Sequence, residues 1–509
     1  AEGNAQDSSF EFGLDIDANG LAIGVHSETT TLAGDDTVDN SGDMNLETVA
    51  TSGAGAVGVD IQTGGATATE TESTATAAVT AINTGGGNDA VTSTGNLQGA
   101  SFATSGAVAV SFTQGGEKPN SESKAKSTAE ATAAGIMTDG GKATSLYDFS
   151  LTINDSGIAG SYEQRSAAAV GDDDVTSSGS ISSAATATSG TVAASVTIKG
   201  SAKAETETEA KATASGIDTG GGIDTVDNSA TIDAVSTATA ATVAASVSSE
   251  GNAITNSGFF GGGTKATSSA AGISTAGSDF EKSLNVDASI DFENIGVDVS
   301  VTSVNDSLSG DGADTITNSG NVTTTSNAIS PALTTAATSK GIAASVGRAK
   351  SASTSTAIES GGDSDVIDNS GTLISESTAN AVMANIAVTG KGLAVAGNST
   401  WDGGTVAESS ATGIDADSGS LSTTTTTVEA NADRAQVLYT AETQYASGDD
   451  TITNTGSITT ISGAHAASLS AAVAPESFSV AAAVSTSTAK SETSGIKGGD
   501  GNDTIDNDG

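Results

Sequence analysis

One short phrase returns eight times in this 509-residue chain: a Gly-rich turn, an aspartate, a β-branched residue and an Asn-Ser-Gly corner. The copies are GDDTVDNSG (34–42), GNDAVTSTG (87–95), GDDDVTSSG (171–179), GIDTVDNSA (222–230), GADTITNSG (312–320), GGDSDVIDNSG (361–371), GDDTITNTG (448–456) and GNDTIDNDG (501–509). A chain that repeats itself is an array of one small unit. Such a unit cannot bury its apolar face alone, so the fold follows from stacking.

The anchoring aspartates are Asp36, Asp89, Asp173, Asp224, Asp314, Asp365, Asp450 and Asp503, separated by 53, 84, 51, 90, 51, 85 and 53 residues. Short and long steps alternate strictly, so the true period is a pair of units. A second landmark locates the difference. Each unit closes on an isoleucine: Ile82, Ile136, Ile217, Ile273, Ile358, Ile414 and Ile496. From aspartate to closing isoleucine the body spans 44 to 49 residues; from isoleucine to the next aspartate the joint is alternately 7 residues and 36 to 41. One body type repeats, and every second joint carries an excursion. The spacing divides the chain into excursions at 1–35, 137–172, 274–313 and 415–449. Between them lie repeat pairs at 36–136, 173–273, 314–414 and 450–509, the last incomplete. The pattern reads as a stretch of a longer array.

Within the bodies the period is two, as in Ala204-Glu205-Thr206-Glu207-Thr208-Glu209. That is the signature of a strand, with alternate side chains on opposite faces. Short strands between Gly corners, in the same register in every unit, predict an all-β fold. The expected form is an elongated parallel β-solenoid of stacked repeats with β-hairpin excursions at alternate joints. Ala and Val are expected inside, with Ser, Thr and Glu outside. The corner asparagines Asn40, Asn228, Asn318, Asn369, Asn454 and Asn507, replaced by Ser93 and Ser177 in two units, are expected to hydrogen-bond from turn to turn. Residues 251–258 (GNAITNSG) echo the corner phrase midway through a unit. Both one wide turn and two turns per unit therefore fit the sequence. The excursions turn at Gly, Asn and Asp, as hairpins do. They concentrate aromatics, among them Phe10, Phe12, Tyr147, Phe149, Tyr162, Phe280, Phe292, Tyr439 and Tyr445. These aromatics either form small local cores or offer a repeated lateral contact surface.

Composition excludes several classes. The net charge is −45, and the chain has three arginines and no basic cluster, which argues against nucleic acid as a partner. No apolar run is long enough to span a membrane. Cysteine is absent, so no disulfide or thiolate–metal framework can form. No leader is visible and the chain does not begin with Met, which fits a processed protein or an excerpt. The histidines His26 and His465 are far apart and recur in no other unit. Serine is everywhere, so no nucleophile stands out, and the expectation is a non-enzyme.

The phrase at 498–506, GGDGNDTID, matches Gly-Gly-x-Gly-x-Asp-x-U-x in full, and GDGADTI at 310–316 nearly so. Here the chain resembles the haemolysin-type calcium-binding repeats of bacterial secreted toxins and adhesins. The resemblance implies Ca²⁺ held by turn carbonyls and by Asp503 and Asp314, then Asp36, Asp89, Asp173, Asp224, Asp365 and Asp450. The chain departs from that family in that its motifs stand alone, not in tandem. The Asn-Ser-Gly-x-Ile continuation looks more like the repeats of giant β-solenoid adhesins and autotransporter passengers. Stacking one turn per unit would place the aspartates about 4.8 Å apart. Calcium would relieve their repulsion there; hydrogen bonding of each Asp to turn N–H groups is the alternative. The expected role is a structural segment of a long bacterial fibre or adhesin at the cell surface or outside it, self-associating into fibres or bundles. A module gripping a glycan or partner cell through its hairpins is the alternative.

Overall fold

The computed structural model describes residues 5–17, 20–32, 34–63, 66–115, 120–138, 142–154, 157–168, 171–257, 263–276, 279–291, 296–308, 312–398, 404–417, 420–430, 435–445, 448–476 and 479–509. Only the backbone is described at 62, 63, 115 and 398 and in the described parts of 5–32, 142–168, 279–308 and 420–445. The aromatics named above in the excursions therefore lie outside the described side chains. Among the described residues every regular element is a strand.

Each repeat is one turn of a parallel solenoid. The eight four-residue corner strands, from Thr37–Asn40 through Thr225–Asn228 to Thr504–Asn507, form one sheet whose spatial order is their order in the chain. Val38, Val91, Val175, Val226, Ile316, Ile367, Ile452 and Ile505 stack in one register. The echo at 251–258 is not a second corner. Ala253–Ser257 pairs instead with Ala202–Glu205 and with Ala343–Gly347, in the return strand of the turn. That closes the two-turn alternative.

After the corner the chain runs out along one wall and back along another. Leu97–Gly115 and Asn120–Met137 are one such pair, and Ile181–Lys199 and Ser201–Asp218 the next. Strands of this length give walls roughly 60 Å across. At the corner end three columns converge on a triangular aliphatic core. They are the closing isoleucines, the corner Val/Ile residues, and Leu97, Ile181, Ile232, Val322 and Leu373 at the start of the outbound wall. The corner glycines permit the close stacking: a Cβ on Gly320, Gly371 or Gly456 would lie 1.8 Å from a carbonyl oxygen of the turn below.

Away from the corner the two walls approach closely; alanine turns inward on both as expected, but serine and threonine expected outside are buried on both, as Thr208, Ser123, Ser105 and Ser195 show. On the return wall Ala204, Ala210 and Ala212 are buried, and Glu205, Glu207 and Glu209 face outward. On the outbound wall the inversion is of serine and valine, while Ala107, Ala109 and Ala193 stay inside. Ser101, Ser105, Ser111 and Ser195 are fully or almost fully buried, while Val108, Val192 and Val243 are about two-fifths exposed, at 42%, 39% and 44%. The gap explains the inversion. Ser111 Oγ reaches Ser121 Oγ at 2.7 Å and Thr334 Oγ1 reaches Ser345 Oγ at 2.7 Å across the slab, so the inward positions favour small side chains and hydroxyls that can bond across it. A Cβ on inward-facing Gly58 would already meet Thr67 Cγ2 at 2.5 Å. The interior is therefore alanine and hydroxyl. A zigzag of serine hydroxyls crosses between the walls as it climbs: Ser353 to Ser326 at 2.8 Å, Ser377 to Ser353 at 2.9 Å, Ser409 to Ser377, Ser462 to Ser409 and Ser491 to Ser462 each at 2.8 Å.

The excursions pair with one another. Strands Ala5–Asp17 and Gly20–Leu32, Lys142–Asn154 and Gly157–Ala168, Asp279–Asp291 and Gly296–Leu308, and Ser420–Ala430 and Ala435–Tyr445 are four antiparallel hairpins. The return strand of each pairs with the first strand of the next, giving one eight-stranded antiparallel sheet. This accounts for the alternating joints. A hairpin adds two strands, about 9.6 Å of sheet, and two solenoid turns rise by the same amount. One hairpin per two turns keeps both sheets in step; a hairpin at every joint would need twice the available rise.

Candidate functional site: the aspartate corner

The Gly-rich turn before each corner strand brings the eight expected aspartates into one axial column, a turn apart. From Asp89 to Asp503 each carboxylate bonds along the axis. Asp89 Oδ1 accepts the backbone N–H of Asp36 at 2.8 Å, and Asp173 Oδ1 that of Asp89 at 2.8 Å. The same bond joins Asp173 to Asp224, Asp224 to Asp314, Asp314 to Asp365, Asp365 to Asp450 and Asp450 to Asp503, at 2.8 to 3.2 Å. The turn N–H groups expected as partners are thus supplied by the neighbouring turn. A carboxylate here replaces the strand-to-strand bond that the bend would otherwise lose.

From Asp89 to Asp450 these carboxyls are buried. The second oxygen, Oδ2, of Asp89, Asp173, Asp224, Asp314 and Asp450 is buried with no hydrogen-bond partner. Asp365 differs, since Ser360 Oγ donates to its Oδ2 at 2.6 Å. Desolvation penalises the charged form. It pushes Asp314 up to about 9, Asp173 to about 7, and Asp224 and Asp450 to about 6, and it raises Asp89. Nearby hydroxyls and the axial N–H bonds oppose the rise. Flanking carboxylates add to it, as Asp224 and Asp365 do for Asp314.

The hydroxyls beside the carboxyls escaped the sequence reading. Thr84, Thr138, Thr219, Thr275 and Ser360 each stand two residues past a closing isoleucine. The signal was an Ile-x-Thr/Ser phrase at fixed offset; Ala416 and Gly498 break it in the last two turns. A parallel ladder runs at the surface one residue earlier, where Asp35 Oδ1 accepts the N–H of Asn88 and Asn88 Oδ1 that of Asp172, both at 3.1 Å.

At the other end of each corner strand the asparagines behave as the sequence suggested. Asn228 Nδ2 donates to Asn318 Oδ1 at 2.7 Å, Asn318 to Asn369 at 2.7 Å, and Asn369 to Asn454 and Asn454 to Asn507 at 2.6 Å. The ladder fails at the serine turns: Asn40 reaches Ser93 Oγ at 3.2 Å, and Ser177 Oγ has no partner.

As a donor set, the column offers an uncommitted buried carboxyl oxygen in five of its turns, those of Asp89, Asp173, Asp224, Asp314 and Asp450. Among the described residues no group of three or more His, Cys, Asp and Glu gathers around a common point. His465 lies on the exposed outbound face, remote from the column. No helix among the described residues is long and apolar enough to cross a membrane. Fold and site together define a parallel β-solenoid with an internal ladder of acids. In comparisons with known proteins, no family model, no curated protein and no solved structure matches this chain.

Proposed function

We propose that the chain is a structural, non-enzymatic segment of a long bacterial fibre or surface adhesin, working outside the cell. The observation that carries this reading is the matched rise of the solenoid turns and the hairpin sheet. Two sheets that climb in step extend without limit, and every added pair of turns presents the same surfaces. The polar groups best placed for chemistry are spent, turn after turn, on holding the stack together.

The test is a set of concatemers in which residues 173–313, one pair of turns with its hairpin, are duplicated one to four times. Small-angle scattering should show the particle lengthening by about 9.6 Å per copy at constant cross-section. Swelling in all directions would refute the scaffold. On intact producing cells, antibodies should label the chain without permeabilisation; labelling only after permeabilisation would refute the external location.

Calcium is a second reading, favoured by the unpartnered Oδ2 atoms. Calcium takes six to eight oxygens, many of them charged, and a column with at most one unpartnered oxygen in a turn suits a proton better. We therefore assign a proton at neutral pH to Asp314, whose carboxyl is pushed up to about 9. Equilibrium dialysis against ⁴⁵Ca²⁺ decides: binding near one ion per turn that falls in Asp314→Asn would favour calcium, and no binding favours the proton.

A further inference from the structure

We propose that two copies of this chain pair through the outer face of the outbound wall, about a two-fold axis parallel to the solenoid axis. The inference rests on the scaffold reading but on a different surface, the inverted wall.

Three observations carry it. The first is the segregation of charge. The return wall is studded with ions paired from rung to rung, such as Lys124 with Glu70 at 2.8 Å and Lys265 with Glu209 at 2.8 Å. On the outbound wall the outward columns from Val49 and Phe102 to Ile61 and Ile198 carry no Asp, Glu, Lys or Arg; charge returns only at the far edge, in the column of Lys199, Glu250, Lys340 and Lys391. Two chains of net charge −45 repel unless they meet where acid is absent. Pairing outbound walls leaves the charged return walls outside, separated by the sheets between them, roughly 20 Å or more. That exceeds the screening length of about 8 Å in physiological salt.

The second is area. The five outward columns from Gly53 to Ile61 span about 30 Å along the strands and seven turns span about 34 Å along the axis. Each copy thus offers about 1,000 Å², and a pair would bury about 2,000 Å², enough for a stable dimer. An isolated chain rarely exposes an apolar patch beyond about 600 Å².

The third is shape. Val108, Val192, Val243 and Leu333 form an axial ridge. Beside it Gly106, Gly190 and Ala241 form a column of small residues, and the two line a shallow groove of about 540 Å³. A two-fold axis between ridge and groove, parallel to the stack, sets each ridge into the partner's groove. It also keeps both copies rising in the same direction, rung against rung. Interfaces of this kind close on themselves.

The experiment is sedimentation equilibrium of the full chain across micromolar concentrations. The wild type should approach twice the monomer mass. Val192→Glu combined with Leu333→Glu, two exposed sites on alternate rungs, should raise the dimer dissociation constant at least tenfold with unchanged circular dichroism and melting of the monomer. Thr76→Glu with Ser410→Glu, on the return wall, should change nothing. A wild type that stays monomeric, or association that survives the ridge variant or is lost equally in the return-wall variant, overturns the proposal. So does a monomer that floats with neutral lipid vesicles, which would assign the face to a bilayer. The concatemer length is read in the ridge variant as well, so failure of pairing and failure of the scaffold separate.

Discussion

The two ends of each turn are held together in opposite ways. At the corner, large aliphatic side chains fill a triangular core, and two polar columns, aspartate and asparagine, run beside it. Toward the far edge the walls close mainly on alanine, serine and threonine, with Met383 the one large side chain fully buried between them among the described residues. The corner works by volume and by bonds along the axis; the slab works by close approach and by hydroxyls that step between walls. Because the slab needs only small residues inside, its outer faces are free to differ. One wall became charged and the other apolar. Stability is concentrated at the corner, and recognition is available on the slab.

If that division is right, deletions should hurt far more at the corner. Ile358→Ala removes a fully buried side chain from the stack and should cost about 2–5 kcal/mol. Ala212→Gly, equally buried in the slab, should cost about 1 kcal/mol or less. Denaturant melts of the two variants compare them directly; equal losses would erase the distinction.

The acid column should next show itself through pH. Asp314 and its neighbours have folded values raised well above the ordinary carboxylate range. The folded state therefore holds protons that the unfolded chain has released. The stability they contribute is complete below about pH 4 and is lost as pH rises through about 6 to 9. The melting temperature should fall across that window. Other carboxylates push the same way as they ionise, so the diagnostic is Asp314→Asn, which keeps the axial acceptor and cannot ionise. Its melting temperature should fall less between pH 7 and 10 than the wild type's.

A smaller effect sharpens the contrast by gain and not by loss. The asparagine ladder is interrupted at Ser93 and Ser177. Replacing both with Asn should join the first turn to the rest and raise stability by about 0.5–1.5 kcal/mol per bond restored. Asn318→Ala should cost about 1–3 kcal/mol by stranding its neighbours. The smallest effect belongs on the return wall. Lys265→Ala breaks an exposed pair with Glu209 and should change stability by less than about 1 kcal/mol.

How much of this was legible beforehand follows the same division. The corner announced itself because its residues have few substitutes. Gly fits the stacking approach and gives way only to Ala230, Asn bonds to Asn along the axis, and the closing Ile recurs within a narrow range of spacing. The slab did not, because period two fixes alternation but not which face turns inward. Hydrophobicity suggested Val inside, yet across a gap bridged by Ser111 and Ser121 the inward positions are held chiefly by Ala, Ser and Thr, and the width of that gap comes from the fold. The aspartate column was found by spacing. Its protons were not, because they depend on burial, and the hydroxyls beside it were hidden among 509 residues rich in Ser and Thr. The alternating joints were counted correctly, but their cause, two strands per hairpin matched to two turns, needed the neighbouring hairpins to be seen paired.

One turn per repeat is the claim on which the rest depends, and a single distance tests it. Thr74 and Thr488 are exposed on the return wall and connected by register through Thr128, Glu209, Lys265, Lys350 and Val406, six steps across seven rungs. The chain has no cysteine, so Thr74→Cys and Thr488→Cys carry the only two spin labels. Electron–electron double resonance should give a single narrow distance near 29 Å, six steps of about 4.8 Å. A distance near twice that would mean two turns per repeat, and a broad distribution at longer range would mean separate domains on linkers; either result would contradict the account.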